Sequence, residues 1–398
     1  MPLARRLSPS PRHRIYSAFF LYAMAIGGLF PRLGELQQAL GLSERALGMA
    51  LVGTAAGTLV SLTLASRSLQ WLGHRRVLLI GIPLVATAFA AASWANSGLA
   101  LFLLLLPAGL CIGAVEIVIN LEADRFEHQL GRRIMSRAHA FWSLGFFASG
   151  LLGAGIAQLG ISLQLHLAVM VLLVGTAALG LLAGFEPAGH RPASHGGEPP
   201  RWARPNRGTA WLVAATLGAM LLEGAGAEWS AIYMRDVFAA TPFTAGVAVA
   251  TAAGVQALAR WHADGWVRRH GPLRVARTLH LLLGMGAALL LLAPHPALAL
   301  AGFALLGLGS SAIFPLAMSA AAQATDRPAA VSVAALAQTS FLAFLLGPPL
   351  LGWVATSFGI RWSFGVALPL VLLGWWAAQS LAPRAAPASA ARAAGSGR

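Results

Sequence analysis

Residues 109–145 read GLCIGAVEIVINLEADRFEHQLGRRIMSRAHAFWSLG. An apolar run carries Glu116 and, four residues on, Asn120. A short arginine-rich turn follows, and apolar sequence resumes at His139, Phe141 and Trp142. At a bilayer centre an ionised carboxylate costs about 2.5 to 3.5 kcal/mol on insertion scales, so an acid there faces a cavity or pathway. Two apolar stretches joined by a charged turn read as a pair of membrane helices, with Glu116 as the first functional candidate.

Outward from this stretch the whole chain has the same character. Of 398 residues, 57% are hydrophobic and 10% charged, and the mean hydropathy is +0.70; soluble domains carry about 25% charged residues. The composition is that of a polytopic membrane protein. A net charge of +15 could suggest nucleic acid, but the arginines come in short clusters between apolar runs and form no stripe on a soluble domain. Cys111 is the sole cysteine, which excludes an intramolecular disulfide and a multi-cysteine metal site. The basic N-terminus precedes Ala23-Met24-Ala25, a loose match to a signal-peptidase site, but a retained first span accounts for the same residues.

With about 20 apolar residues per span as the template, the sequence predicts an all-α chain of twelve transmembrane helices. They cover 15–33, 46–65, 77–94, 99–120, 138–159, 163–185, 211–234, 243–261, 275–293, 297–321, 331–357 and 362–382. The expected organisation is a six-helix bundle over 1–185, a Pro-, Gly- and Arg-rich cytoplasmic linker over 186–208, a second bundle over 209–383, and a disordered tail over 384–398. Cytoplasmic loops carry the excess of positive charge. With both termini inside, only Arg32, Arg45, Arg235 and Arg361 fall on the outer side; the other 24 of the 28 basic residues fall inside. One missed span would invert every later loop and destroy that bias. The halves also repeat: SRSLQWLGHRR at 66–76 and ARWHADGWVRRHGPLR at 259–274 both follow the second span of their half. Two pseudo-symmetric six-helix bundles with a solute site between them are the architecture of many secondary transporters.

The chain resembles the major facilitator superfamily and, within it, the fucose-permease-like branch of bacterial inner-membrane permeases. Ser66, Gln70, Trp71, Gly73, His74 and Arg75 stand where the family has Gly-x-x-x-Asp-Arg-x-Gly-Arg-Arg, and the second copy keeps Asp264. The branch's fourth-span pattern is matched by Glu116, Asn120, Glu127, Gly131, Arg132, Met135, His139, Ala140, Trp142, Ser143 and Gly145. In the second half Glu223-Gly224, Glu228-Trp229-Ser230, Pro315 and Gly347-Pro348-Pro349 complete the likeness. Fucose transport in this branch also uses a first-span acid, and residues 15–33 contain none. The resemblance implies that Arg260, Asp264, Arg268 and Arg269 form a cytoplasmic loop that holds the halves closed.

Glu116 and Asn120 lie four apart on one helical face, where a carboxyl beside an amide can take a proton and a polar solute together; a protonated glutamate hydrogen-bonded within the bundle is the plainer alternative. Glu223, about 18 Å into the seventh span at 1.5 Å per residue, is the second proton-site candidate. Glu228 could pair with Arg235 or Arg32, or simply be solvated at the interface. Asn120, His139, Trp142, Ser143, Glu228, Trp229 and Gln338 are the expected solute path, although His139 could serve as a helix-end hydrogen-bonding group and Trp142 as an aromatic-belt anchor. Glu122, Asp124 and Glu127 read as interfacial acids paired with Arg125, Arg132 or Arg133. The Pro348-Pro349 pair predicts a bend in the eleventh span.

The leading expectation is a proton-coupled secondary transporter of a small solute, working by alternating access as symporter or antiporter. It is expected to be a monomer in the bacterial inner membrane, to contact the lipid bilayer but no nucleic acid, and to need no metal or other cofactor. A sensor or scaffold with a transporter fold is the alternative, and an intramembrane lipid-modifying enzyme a weaker one, since no His-Glu-x-x-His, Gly-x-Ser-x-Gly or phosphate loop occurs.

Overall fold

The computed structural model describes residues 11–131, 134–189, 203–324 and 326–382. Described residues form helices and connecting turns without a strand. Twelve helices are long and apolar enough to cross a membrane: α1 Arg12–Ala39, α2 Glu44–Leu62, α3 Leu72–Ala92, α4 Gly98–Leu130, α5 Met135–Gln158, α6 Leu163–Leu182, α7 Arg207–Glu228, α8 Pro242–His270, α9 Pro272–Leu292, α10 Pro296–Ala322, α11 Val331–Phe358 and α12 Trp362–Leu381. The tail, linker residues 190–202, Arg132 and Arg133, and the side chains of Ser66, Gln70 and Trp71 lie outside the described set.

Polar side chains start many of these helices. Ser43, Ser97, Ser162, Asn206 and Thr241 each accept the amide hydrogen three residues on, at the heads of α2, α4, α6, α7 and α8, satisfying one donor that the helix cannot satisfy itself. The ends depart from the hydropathy reading. α4 continues ten residues past the expected Asn120 and stops at Gly131, whose φ is 59°; α8 continues nine past Trp261 and stops at Gly271, with φ 77°. Charge does not end a helix. A residue of positive φ that turns the chain off its ladder does, and glycine takes that conformation at least cost. Asp264, Arg268 and Arg269 therefore stand on the same helix as Arg260, where a loop was expected.

The turns give the repeat a geometric form. Besides Gly131, positive φ occurs at Gly41, Gly73 and Gly160 in the first half and at Ala239, Gly271 and Gly359 in the second, each of the latter 198 or 199 residues after its counterpart. Gly73 and Gly271 also share their full conformation, φ 70°, ψ 154° against φ 77°, ψ 157°.

Two helix pairs join the halves: α5 with α8, and α2 with α11. α5 and α8 keep register from Ser136 against Asp264, through Ser143 against Gln256, to Gln158 against the Phe243 amide. α2 meets α11 at the end away from the linker, where Gly48 lies under the Pro348 carbonyl and the Arg45 amide donates to Thr356 Oγ1 at 3.0 Å. A side chain at Gly48 would displace that carbonyl. At the same end Arg235 donates to the Gly34 carbonyl at 2.6 Å and to Gln37 Oε1 at 2.9 Å, so the second half grips the first. In α11 the helix is interrupted at Phe341, and Pro348 and Pro349 both sit inside the segment that follows. The interruption is thus a turn earlier than the carbonyls that the prolines leave without donors.

Candidate functional site

Two polar clusters, one from each half, meet between the bundles. In the first half, Asn120 lies one turn beyond Glu116 on α4, and its Nδ2 donates to Glu116 Oε1 and to the Glu116 carbonyl, both at 2.9 Å. Its Oδ1 stands 3.2 Å from His139 Nε2 on α5. An amide oxygen can only accept, so the proton of His139 sits on Nε2. Tyr22 from α1 adds a hydroxyl beside the Glu116 carboxyl. Phe19 closes over the His139 ring at 5.2 Å between centroids.

The second cluster centres on Arg260. Its Nη2 is 3.1 Å from Glu223 Oε1 on α7, its Nη1 donates to Ser143 Oγ at 2.7 Å, and its Nε donates to the Ser311 carbonyl at 3.1 Å. That last acceptor has a local cause. In a helix the Ser311 carbonyl would take the amide of residue 315, but Pro315 has none, and the helix is broken at 311–312. The freed oxygen holds the guanidinium. Ser143, fully buried on α5, passes the chain on to Gln256 Oε1 at 3.0 Å, and Gln256 Nε2 reaches Ser310 Oγ at 3.2 Å.

Ser143 belongs to the first half, and Arg260, Gln256 and Glu223 to the second, so this network crosses the seam. The Arg260 charge acts on both Glu116 and His139. One guanidinium therefore faces two carboxylates from opposite halves, in direct contact with one and at longer range from the other. Glu116, Asn120, His139, Glu223 and Arg260 all remain partly exposed.

The expected site residues divide accordingly. Glu116, Asn120, His139 and Ser143 come together with Glu223. Trp142 stacks on Phe146 at 5.5 Å beside them. Arg260, expected in a closing loop, belongs to the centre, because α8 carries it inside the bundle. Of its three supposed loop companions only Asp264 reaches the other half, accepting from Ser136 Oγ at 3.0 Å; Arg268 and Arg269 are exposed in the last turn of α8, where cations complement the helix dipole. Glu228 pairs with neither Arg32 nor Arg235. Arg32 is held by Glu35 at 2.6 Å and by the Ile161 carbonyl at 2.7 Å, and Arg235 by Asp236 and the first half. Trp229 is fully buried with its ring against Gly352. Gln338 accepts from the Ala203 amide of the linker at 3.0 Å.

Glu122 keeps the expected Arg125 partner but is not interfacial, and Glu127 has a different duty from the one expected. Glu122 is buried, and its carboxylate takes His74, the Ala188 amide at 2.7 Å and, at 3.5 Å, Arg125. It ties the turn between α2 and α3 to the start of the linker. Glu127 accepts the amides of Ile134 and Met135 at 2.7 and 3.0 Å, so it caps α5 where an arginine partner was expected. Reading by residue type missed Gln256, Ser310, Ser311 and Tyr22 as site members, and gave Arg260 a gating role only. Gln256 did carry a signal: it is an amide inside an apolar run, four residues before Arg260 on the same face. Among the described residues no three His, Cys, Asp or Glu side chains gather as a metal site would need.

The family profile of the Major Facilitator Superfamily matches residues 15–341 and again 212–397. The chain belongs to that superfamily. It is 28% identical over 361 residues to the uncharacterised transporter y4wD of Sinorhizobium fredii, covering 89% of this chain and 94% of that one. In fold it matches a point mutant of the nucleoside transporter NupG with a TM-score of 0.68, at 13% identity over 94% of this chain and 100% of that one. The human organic anion transporter MFSD10 matches with a TM-score of 0.65, at 18% identity over 93% of this chain and 100% of MFSD10. As a superfamily member this protein is a multi-pass membrane transporter of small solutes, and its relatives and structural neighbours are transporters rather than enzymes.

Proposed function

We propose that this transporter moves a small polar solute by alternating access coupled to protons, as a monomer in the bacterial inner membrane and within the fucose-permease-like branch. The arginine bias supports a cytoplasmic placement of both termini and of the linker over 186–208, which joins the bundles over 1–185 and 209–383. The observation that carries the reading is the seam network, in which Arg260 contacts Glu223 and Ser143 and acts on Glu116.

The coupling follows from electrostatics. An ionised carboxylate in a low-dielectric cleft is unfavourable unless paired or hydrated. Protonation of Glu223 removes the charge that holds Arg260 Nη2 and frees that donor, for Glu116 or for a polar group on the solute. Deprotonation restores the pair. The amides of Asn120 and Gln256 and the hydroxyl of Ser143 offer donors and acceptors to the solute, with Trp142 and Phe19 as apolar walls. The latch from Arg235 to Gly34 and Gln37, with α2 on α11, closes the side away from the linker, so the rocking motion must break those contacts to open that side.

Counterflow in proteoliposomes with sugars, nucleosides and organic anions tests the reading. Exchange of at least one solute is expected, with accumulation driven by an imposed pH gradient. Folded protein that exchanges none of them, or exchange indifferent to the gradient, removes the proposal.

A further inference from the structure

Apart from the polar cleft, α5 and α8 leave a groove of about 400 Å³ between them, walled by Phe141, Leu144 and Phe147 from α5 and by Gly254, Leu258 and Trp261 from α8. Leu144, Leu258 and Trp261 are 42%, 66% and 49% exposed, which on a membrane span means that they face lipid. Thr251 offers the groove a hydroxyl, but its Oγ1 already donates to the Val247 carbonyl at 2.8 Å. The groove therefore suits a hydrocarbon chain.

Charge stands at one end only. Arg137 lies one turn before Phe141 on α5, and Arg268 lies two turns beyond Trp261 on α8, at spacings of four and seven that keep each on the groove-lining face of its helix. Both are exposed. The Arg137 guanidinium carbon is 5.4 Å from the Trp261 ring centroid, stacked at the groove's mouth. Among the described residues neither arginine makes an ion pair, and Asp264, on the same helix as Arg268, is engaged by Ser136. An apolar slot about 10 Å long at 1.5 Å per residue, ending between an interfacial tryptophan and two unneutralised cations, matches a phospholipid in both of its parts.

We infer that this groove binds one acyl chain of an anionic phospholipid, with the phosphate against Arg137 and Arg268. α5 belongs to the first half and α8 to the second, so the lipid bridges the seam and favours the state in which these helices are packed.

The test uses the full-length protein, delipidated in neutral detergent and titrated with phosphatidylglycerol or phosphatidylcholine, with bound lipid counted by native mass spectrometry. Phosphatidylglycerol is expected to bind at least tenfold more tightly and to raise the unfolding temperature. Arg137→Gln with Arg268→Gln should bring it down to the phosphatidylcholine level, and Arg269→Gln, one position round the helix, should not. Val255→Phe, which fills the groove, should abolish both. Circular dichroism and the unfolding temperature without lipid establish that each variant is folded. Equal binding of the two lipids, unchanged phosphatidylglycerol binding in the double variant, or occupation of the groove by a second copy of the chain seen as cross-linking through this face would overturn the inference.

Discussion

Arg260 holds three acceptors at the seam, and two of them, Glu223 and Ser143, are side chains that substitution can remove. Arg260→Ala leaves Glu223 without its cation in a site that exposes only 25% of that side chain; a broken buried pair costs about 3 kcal/mol. The expected outcome is a clear loss of thermal stability and of transport, and Arg260→Ala with Glu223→Gln should regain most of the stability but no transport. Measuring both variants in one thermal-unfolding series checks this. Glu116→Gln keeps Asn120 supplied with an acceptor, so binding and exchange should persist while proton-driven accumulation is lost; unchanged pH dependence of transport in that variant would remove Glu116 from the coupling. Glu116 and Glu223 were legible in the sequence, because a carboxylate in an apolar run is costly enough to stand out. Arg260 was not. It sits near the end of an apolar run, where arginine ordinarily reports topology, and its role depends on a carbonyl that Pro315 frees on a distant helix.

At the scale of elements, helix number was legible because hydropathy registers the bilayer, and helix ends were not because backbone conformation sets them. Gly131 and Gly271 terminate α4 and α8 ten and nine residues past the ends that hydropathy predicts. Those extra turns carry Glu122 and Glu127 into structural duties and bring Asp264 against Ser136. The same argument gives a substitution. Ala239 holds φ 48°, the only non-glycine residue with positive φ among those described, and a left-handed L-residue costs roughly 1 to 2 kcal/mol. Ala239→Gly removes that cost at the expense of added unfolded-state freedom, so a net stabilisation of up to about 1 kcal/mol is expected in thermal unfolding. Gly109→Leu should act in the opposite sense. A side chain there runs into the Thr54 carbonyl where α2 and α4 touch, and small residues are what permit such close approach; little folded protein should survive detergent extraction.

For the molecule as a whole, the contacts at the end away from the linker hold the two halves together there. Arg235→Ala removes two side-chain hydrogen bonds across the seam and should shift the population toward opening there. Cys111 is the sole cysteine, so in a Cys111→Ser background a cysteine at Gln37, a buried position whose replacement leaves the Arg235 bond to the Gly34 carbonyl in place, reports that opening. Its labelling by a membrane-impermeant maleimide should accelerate several-fold when Arg235 is replaced. The paired turns at 41 and 239, 73 and 271, and 160 and 359 carry a further meaning. An offset of 198 or 199 residues is the repeat length of two structurally equivalent halves, visible in the sign of φ at the corners. Gly73 and Gly271 turn corresponding corners of the two halves, and Ala239 stands where the first half has Gly41, so Ala239→Gly also restores the symmetry between the halves at that corner.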